Sequence, residues 1–327
     1  MFQYCSFLVS VFCLHGKMKE AFVNICGIPT HIITWGRYIE EPLDDVKEII
    51  ICVTGNPGLP GFYTEFLGLM HKHLGGKVPI WLIGHLGHDD PQEENIQMVP
   101  QLKGNEEHFN LNGQIKHKIE FVKKYVPFDV KIHLIGHSIG AWMILQMLDD
   151  HNIKNRIKKC YMLFPTIERM MESPNGWIFT RIALPFYSLF GFLIKLFNYF
   201  PNVLKVILIY MYFCVFNIPK HFIGTALKYT KASVIEKIVF LAEDEMARVR
   251  SLPREIITNN LKLFKFFYGI DDGWVPVKYY KQLKESIPDV DAELDNRKID
   301  HAFVLNFSHL MSVIVADMIL QYSDICQ

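Results

Sequence analysis

Residues 131–148, KIHLIGHSIGAWMILQML, constrain this chain more than any other stretch. An apolar run with strand character breaks at Gly-His-Ser-Ile-Gly and resumes at once with helical spacing. A strand that enters a helix through so short a turn is typical of parallel α/β proteins. The turn leaves Ser138 at the junction, and its local chemistry decides whether that serine caps a helix or reacts.

The spacing G-x-S-x-G predicts a nucleophile elbow at Ser138. Such an elbow forces the serine into a sparsely populated backbone conformation and presses the positions two before and two after it together. Gly136 and Gly140 lack the side chains that would clash there. The helix beginning at Ile139 would point its first N–H groups at a developing oxyanion. The alternative is a serine that only caps the helix.

Strand-like and helical patterns alternate along the rest of the chain. The strand-like runs are 21–34, 47–55, 79–85, 130–137 and 158–165, and the helical patterns are 61–74, 113–126, 139–150 and 305–322. Strands apolar on both faces and separated by amphipathic helices predict a mostly parallel sheet flanked by helices. We therefore expect a single α/β domain over residues 21–327.

A reactive serine needs an acid and a base, which follow it in the chain in elbow-type serine hydrolases. The stretch LKLFKFFYGIDDGWVP (261–276) reads as a strand running into a loop. The spacing from Gly269 favours Asp272 as the acid over its neighbour Asp271. Two solvated turn aspartates are the alternative.

The chain has fourteen histidines, and His301 has the best context for a catalytic base. It lies in a short polar stretch before the final helical pattern, where a loop would let its ring reach Ser138. His309 is the fallback, although it falls within the helical pattern. His137 is expected to project away from the elbow and to pack.

A second oxyanion donor is expected from the loop 53–63, VTGNPGLPGFY. Pro57 has no N–H and cannot donate. We favour the amide of Asn56, with Gly58 or Leu59 behind it, together with the amide of Ile139. The glycines and prolines could instead mark an ordinary loop.

Residues 177–222 are unusually rich in large apolar side chains. Two uncharged stretches of 13 residues, 182–194 and 206–218, flank a turn-like break near Asn198 and Pro201. Each stretch is shorter than the ~20 residues that a spanning helix needs. A hairpin or lid lying in a lipid surface is favoured. A buried helical insertion and a true bilayer span remain alternatives.

The chain's ends and composition exclude some classes of function. The apolar run 2–14 has no basic residue before it and no small-residue cleavage site after it, so residues 1–20 are predicted to be a dispensable extension. Its 34 basic and 34 acidic residues include no basic run, so no nucleic-acid partner is expected. The cysteines contain no C-x-x-C pair, and no metal or organic cofactor is implied.

With these motifs in hand, the chain resembles the lipid droplet-associated hydrolase family over nearly all its length beyond the first ~20 residues. The motifs that carry the resemblance are G-N-P-G with a following F-Y (55–63), W-x-I-x-H-x-G-H (81–88), L-N-G-Q-I-x-H-K (111–118), L-I-G-H-S-I-G (134–140), L-F-P-T-I-E-R-M-x-E-S-P-N-G (163–176), D-x-W-x-P (272–276) and H-A-F (301–303).

The resemblance implies an α/β-hydrolase fold with a hydrophobic helical lid or membrane-associating insertion at about 168–225. It implies a triad of Ser138, Asp272 and His301 acting on neutral lipid esters, either sterol esters or acylglycerols. It also implies a location on lipid droplets and on the cytosolic face of the endoplasmic reticulum, without a span. Two alternatives stay open: an acyltransferase or thioesterase with the same triad, and a lipid-surface protein with little catalysis.

Overall fold

The structure is a computed structural model that describes residues 18–91 and 98–323. It is built on one eight-stranded sheet. The strands are β1 (Met18–Ile25), β2 (Ile28–Trp35), β3 (Glu48–Val53), β4 (Ile80–Ile83), β5 (Lys131–His137), β6 (Ile157–Leu163), β7 (Phe264–Gly269) and β8 (Ala292–Asp295). Their order across the sheet is β1-β2-β4-β3-β5-β6-β7-β8. Every pairing from β4 to β8 is parallel, and β2 is antiparallel to both of its neighbours.

Residues 21–34, read from the sequence as one strand-like run, form two strands. β1 and β2 make an antiparallel hairpin in which Ile25 pairs with Ile28. The two residues between them, Cys26 and Gly27, have φ values of 53° and 81°. Positive φ at both central residues is what a type I′ hairpin turn requires, and this conformation reverses the chain.

Helices cover both faces of the sheet. They are α1 (Thr64–His73), α2 (Glu106–Phe109), α3 (Leu111–Tyr125), α4 (Ile139–Met147), α5 (His151–Lys154), α6 (Pro174–Ile178), α7 (Tyr187–Asn198), α8 (Asn202–Val215), α9 (Ile223–Tyr229), α10 (Ala232–Arg248), α11 (Arg254–Thr258), α12 (Val277–Ser286), α13 (Phe303–Asn306) and α14 (Ser308–Leu320). The predicted helical patterns at 61–74, 113–126, 139–150 and 305–322 correspond to α1, α3, α4 and α14.

Strand β3 shows how the two faces are packed. Ile49, Ile51 and Val53 point into a core shared with α3, α4 and α12. Ile50 and Cys52 point into a second core shared with α1 and α14. All the residues of β3 are buried, which explains why the sequence is apolar without alternation. The prediction of a mostly parallel sheet flanked by helices is confirmed.

The chain between β6 and β7 is helical over a longer stretch than 168–225, because α9, α10 and α11 continue it to Thr258. A π-helical turn, Phe179–Ala183, follows α6. Among the described helices, none is by itself long and apolar enough to cross a membrane. The pair Pro174–Ala183 and Tyr187–Asn198, which meets at 79°, passes that test by length and composition.

The predicted N-terminal extension overlaps the fold at its end. Residues 18–20 belong to β1 and pair with β2. The apolar run 2–14 lies outside the described residues.

Candidate active site

Ser138 occupies a sharp turn between β5 and α4. Its backbone has φ 53° and ψ −122°, a strained combination for a residue other than glycine. A Cβ on Gly136 would lie 2.8 Å from the backbone of Ala141, and one on Gly140 would lie 2.4 Å from the Val53 carbonyl oxygen. Any side chain at either position would therefore collide with the backbone, which is the close approach expected of an elbow.

The structure brings together the three predicted triad residues, which are far apart in the sequence. His301 lies in the loop after β8, and its Nε2 is 2.9 Å from Ser138 Oγ. The other ring nitrogen, Nδ1, is 2.7 Å from Asp272 Oδ2. Because the Asp272 carboxylate can only accept, Nδ1 carries the proton and Nε2 is left to accept from the serine hydroxyl.

Asp272 is buried, and two backbone N–H groups hold it in place. Its Oδ1 accepts from the N–H groups of Trp274 (2.7 Å) and Val275 (3.0 Å). Burial alone would raise its pKa, but the His301 ring and these donors outweigh burial and lower the pKa below its ordinary value. The competing residue Asp271 is exposed on the surface. The fallback base, His309, is exposed on α14.

The loop after β3 lies directly beside the serine. A Cβ on Gly55 would lie 2.9 Å from the Cβ of Ser138, so only glycine permits this approach. The backbone N–H of Asn56 has no acceptor among the described residues. Ile139 is the first residue of α4, where helix geometry leaves its N–H without an intrahelical acceptor. The N–H groups of Asn56, which follows Gly55, and of Ile139, which follows Ser138, therefore both lack an acceptor among the described residues.

Ser138 and His301 open onto a cavity of about 880 Å³. The surface of this cavity is overwhelmingly apolar. Its far wall is built by α7 and α8, which contribute Phe190, Leu193, Ile194, Phe197, Leu208, Ile209, Tyr212 and Phe213. The cavity is within the ~300–1,000 Å³ range of small-molecule sites, and its chemistry suits an apolar ligand.

His137 packs as expected, but it also contacts the site, which the sequence analysis missed. Tyr63 Oη accepts from the Gly55 N–H at 2.8 Å and donates to His137 Nδ1 at 2.6 Å. His137 Nε2 then donates to the His301 carbonyl oxygen at 2.9 Å. Burial lowers the pKa of His137 to about 3, so the ring is neutral and can serve both partners. One chain of hydrogen bonds thus joins the loop after β3 to the loop that carries His301.

Residues of the motifs 81–88 and 111–118 also hold the loop after β3 in place. His88 Nδ1 donates to the Pro57 carbonyl oxygen at 2.6 Å, and the His85 N–H donates to the Gly58 carbonyl oxygen at 3.1 Å. Gln114 exchanges two hydrogen bonds with the backbone of Leu86. The histidine-rich spacing of the two motifs is visible in the sequence. It does not show that these residues form hydrogen bonds with the loop after β3.

A fully buried lysine, Lys118, connects the residues of these two motifs. Lys118 Nζ donates to the Gly84 carbonyl oxygen (2.9 Å) and contacts Gln114 Oε1 (3.2 Å) and His117 Nδ1 (3.1 Å). Burial lowers its pKa well below the ordinary value. Because every one of these partners can accept a hydrogen bond, the lysine joins the two motifs into one buried network.

The surface of α7 and α8 that faces away from the cavity is exposed and apolar. On α7 the side chains of Leu189 and Phe192 are 54% and 63% exposed, and Leu196 continues the same face. On α8 the exposed residues include Val203, Ile207 and Met211. Apolar exposure this extensive marks an interaction surface in soluble proteins.

Metal ligands are not grouped in the part of the chain that the structure describes. Within residues 18–91 and 98–323, no cluster of three or more His, Cys, Asp or Glu side chains could hold a metal ion.

Comparison with known proteins identifies a family and several proteins to which this chain is similar. A family model described as "Lipid-droplet associated hydrolase" matches residues 46–304. A lipid droplet-associated hydrolase of Drosophila melanogaster is 65% identical over 306 residues, covering 93% of this chain and 99% of that protein. One of Mus musculus is 34% identical over 316 residues, covering 92% and 95%.

Solved structures share the architecture at low identity. A serine hydrolase from the bacterium Cycloclasticus zankles aligns with a TM-score of 0.58 and 14% identity, covering 92% of this chain and 99% of that one. A sequence identity this low is evidence for a shared fold and not for a shared activity. The sheet order, the strand–turn–helix and these neighbours identify the α/β-hydrolase fold, which confirms the expectation from sequence.

Proposed function

The chain belongs to the lipid-droplet associated hydrolase family, and from this membership and the site geometry we propose that it cleaves carboxylic esters of neutral lipids. Ser138 is the nucleophile, His301 the base and Asp272 the acid. The observation that carries the proposal is the relay from Asp272 through His301 to Ser138 at the mouth of an apolar cavity.

Acylation begins when His301 Nε2 takes the proton of the Ser138 hydroxyl as Oγ attacks the ester carbonyl. The negative charge that develops on the carbonyl oxygen is met by the N–H groups of Asn56 and Ile139. The N-terminus of α4 adds the positive end of its dipole. His301 then donates the proton to the leaving alcohol, and the acyl group stays on Ser138.

Asp272 supports both the acylation of Ser138 and the hydrolysis of the acyl-enzyme. It holds the His301 ring with Nδ1 protonated and stabilises the imidazolium that forms transiently. Its own anchoring by Trp274 and Val275 keeps the carboxylate in place while the ring gains and loses its proton. Water, activated by His301, then hydrolyses the acyl-enzyme, which regenerates the free serine.

The substrate class follows from the cavity and the family. A cavity of about 880 Å³ with aromatic and aliphatic walls accommodates a long acyl chain or a sterol ring, and it offers little to a charged substrate. Sterol esters and acylglycerols are the neutral lipid esters of this description. No metal or organic cofactor takes part in the proposed steps.

The place of action is a lipid surface: the droplet monolayer and the cytosolic face of the endoplasmic reticulum. Two features support this. The relatives carry the name lipid droplet-associated hydrolase. The exposed apolar surface of α7 and α8 backs directly onto the cavity wall, so the segment at 168–225 would act as both lid and anchor.

The direct test is labelling of the full-length protein with a fluorophosphonate probe. Wild type should be labelled at Ser138, and Ser138→Ala should not be labelled. The matched control is Ser251→Ala, which removes an exposed serine and should label like wild type. Ester hydrolysis by Ser138→Ala should fall by about 10⁴-fold or more.

Esterase activity in Ser138→Ala within a few-fold of wild type would refute the serine mechanism. Acyl transfer to an alcohol or hydrolysis of a thioester in preference to a neutral lipid ester would instead reassign the acceptor or the leaving group.

A further inference from the structure

The side chain of Asn56 is anchored to a helix that is remote in the sequence. Its Nδ2 donates to the Ile238 carbonyl oxygen at 3.1 Å and to Glu245 Oε1 at 3.0 Å. Both acceptors lie on α10, more than 180 residues along the chain. Asn56 follows Gly55, which lies against Ser138, and Asn56 and Ser138 line the same cavity, so one residue joins α10 to the loop beside the serine.

Glu245 is an unusual residue for this position. It is 1% exposed, and it lines the same apolar cavity as Ser138 and His301. Its neighbour Asp244 pairs with Arg248 and accepts from the Leu111 N–H, but no cation pairs with Glu245 among the described residues. A buried carboxylate without a cation is strongly disfavoured, whereas a buried neutral carboxylic acid is disfavoured far less.

We propose that Glu245 is a positioning residue of the hydrolytic site, whose neutral carboxyl group fixes the Asn56 side chain and thereby aims the Asn56 N–H at the oxyanion. This inference rests on the proposed function. It adds to it a residue from α10, the helix that follows the segment 168–225, as a support of the oxyanion hole.

The protonation state of Glu245 matters because of where its charge would lie. Burial raises the pKa of Glu245, the hydrogen bond from Asn56 lowers it and nearby Asp244 raises it, and together they bring it to about 8. The acid is therefore neutral at pH 7. Above about pH 8 it becomes an anion beside the residue that stabilises the oxyanion, and in a poorly solvated cavity the two negative charges repel.

Other groups that titrate near Glu245 can be told apart from it. The cavity is also lined by His137, His301, Tyr63, Tyr212 and Tyr229. His137 stays neutral throughout the neutral and alkaline range. Burial raises the pKa of both Tyr63 and Tyr229. From α9, Lys228 is already paired with Asp89. Because Glu245→Gln leaves all of these groups in place, a change of the pH profile in that variant belongs to Glu245.

The test is the pH profile of fluorophosphonate labelling in three full-length variants. Glu245→Gln keeps an uncharged acceptor for Asn56, Glu245→Ala removes it, and Glu243→Gln is the control, an exposed carboxylate on the same helix. Wild type and the control should lose rate above about pH 8, by up to about tenfold per pH unit. Glu245→Gln should keep its pH 7 rate and lose this alkaline fall.

Glu245→Ala should label about 10²-fold more slowly at pH 7, because the donor loses its orientation, with little change in KM for a short p-nitrophenyl ester. An alkaline fall that persists in folded Glu245→Gln would overturn the inference, and so would normal labelling of Glu245→Ala. Wild type that is not labelled at Ser138 would instead refute the proposed function.

Discussion

At the scale of single residues, the catalytic geometry depends on groups that hold the three proposed triad members. The Asp272 carboxylate is fixed by two N–H donors before it meets His301. The backbone of His301 is itself fixed by His137. Asp272 and His301 therefore each have a second anchor, which would reduce the reorganisation needed during the proposed reaction.

We predict that Asp272→Asn abolishes most activity while Asp271→Asn is mild. An amide at 272 would favour the wrong His301 tautomer, which costs about 10⁴-fold in kcat in serine hydrolases. Asp271 is exposed and serves as the adjacent control. Steady-state hydrolysis and thermal melting of both variants decide the point, and the reverse order of severity would assign the acid to Asp271.

A second residue-scale prediction concerns Tyr63→Phe. The substitution leaves the Gly55 N–H without an acceptor and His137 Nδ1 without a donor. Buried groups left unpaired cost about 1–3 kcal/mol each, so unfolding free energy should fall by that order. We expect kcat to fall by about tenfold from about 1.4 kcal/mol of lost alignment, with KM unchanged. Tyr322→Phe, with only a 3.5 Å contact from its hydroxyl, is the control. A purely structural role would lower stability and leave kcat intact.

At the scale of elements, α7 and α8 are apolar on two sides, which is uncommon for surface helices. One side lines the cavity, and the other faces outward with large exposed side chains. A helix that only covers a core presents polar residues to water. The outward side therefore fits the proposed contact with a lipid monolayer, in which no second aqueous face exists to require a span.

We predict that the double substitution Leu189→Ser and Phe192→Ser weakens binding to phospholipid-coated triacylglycerol droplets. Each side chain is worth roughly 1.5–3 kcal/mol when fully transferred from water, so the partition coefficient should fall by at least about tenfold. Thermal stability should hold because both residues are already exposed.

The matched control replaces two exposed apolar residues elsewhere, Phe128 (66% exposed) and Met18 (40% exposed), by serine. Droplet flotation measures both double variants. Equal binding of the two would move the anchor to another part of the chain and leave α7 and α8 as a cover for the cavity.

At the scale of the whole molecule, buried neutral histidines tie stability to pH. Burial lowers the pKa of His85 and His117 well below the ordinary value, and lowers that of His88 and His137 to about 3. In the unfolded chain the same groups titrate near pH 6.5. Their contribution to stability is present above about pH 6.5 and is lost as the pH falls toward about 3.

We predict that the free energy of unfolding falls steeply between pH 7 and pH 4, and that His88→Asn flattens this dependence. Removing one such histidine should reduce the proton uptake on unfolding by roughly one. Urea unfolding at several pH values measures it, with His309→Asn, an exposed histidine, as the control. An unchanged slope in His88→Asn would mean that His88 titrates alike in the folded and unfolded states.

Much of the architecture was readable from sequence because it depends on local patterns. The parallel core strands, the helices α1, α3, α4 and α14, and the elbow around Ser138 all follow from periodicity and glycine spacing within some twenty residues. The sequence predicted one strand where the structure has the hairpin of β1 and β2. The turn depends on positive φ at Cys26 and Gly27, and the apolar residues on both sides of these two positions read as one continuous strand. The choice of Asp272 and His301 rested on spacing and order along the chain, and these remain predictions of role.

Other features were decided only by the tertiary structure. The sequence by itself determined the parallel core strands, the helices α1, α3, α4 and α14, and the serine that stands in a strained turn, because backbone sterics and apolar periodicity act over a few residues. It could not show that Tyr63 joins Gly55 to His137, that His88 holds Pro57, or that Glu245 holds Asn56. These partners are 31 to 189 residues apart in three of the four contacts, and no local period connects them. Only when the sheet places its strands side by side do these buried groups meet, and only then does burial set their charge.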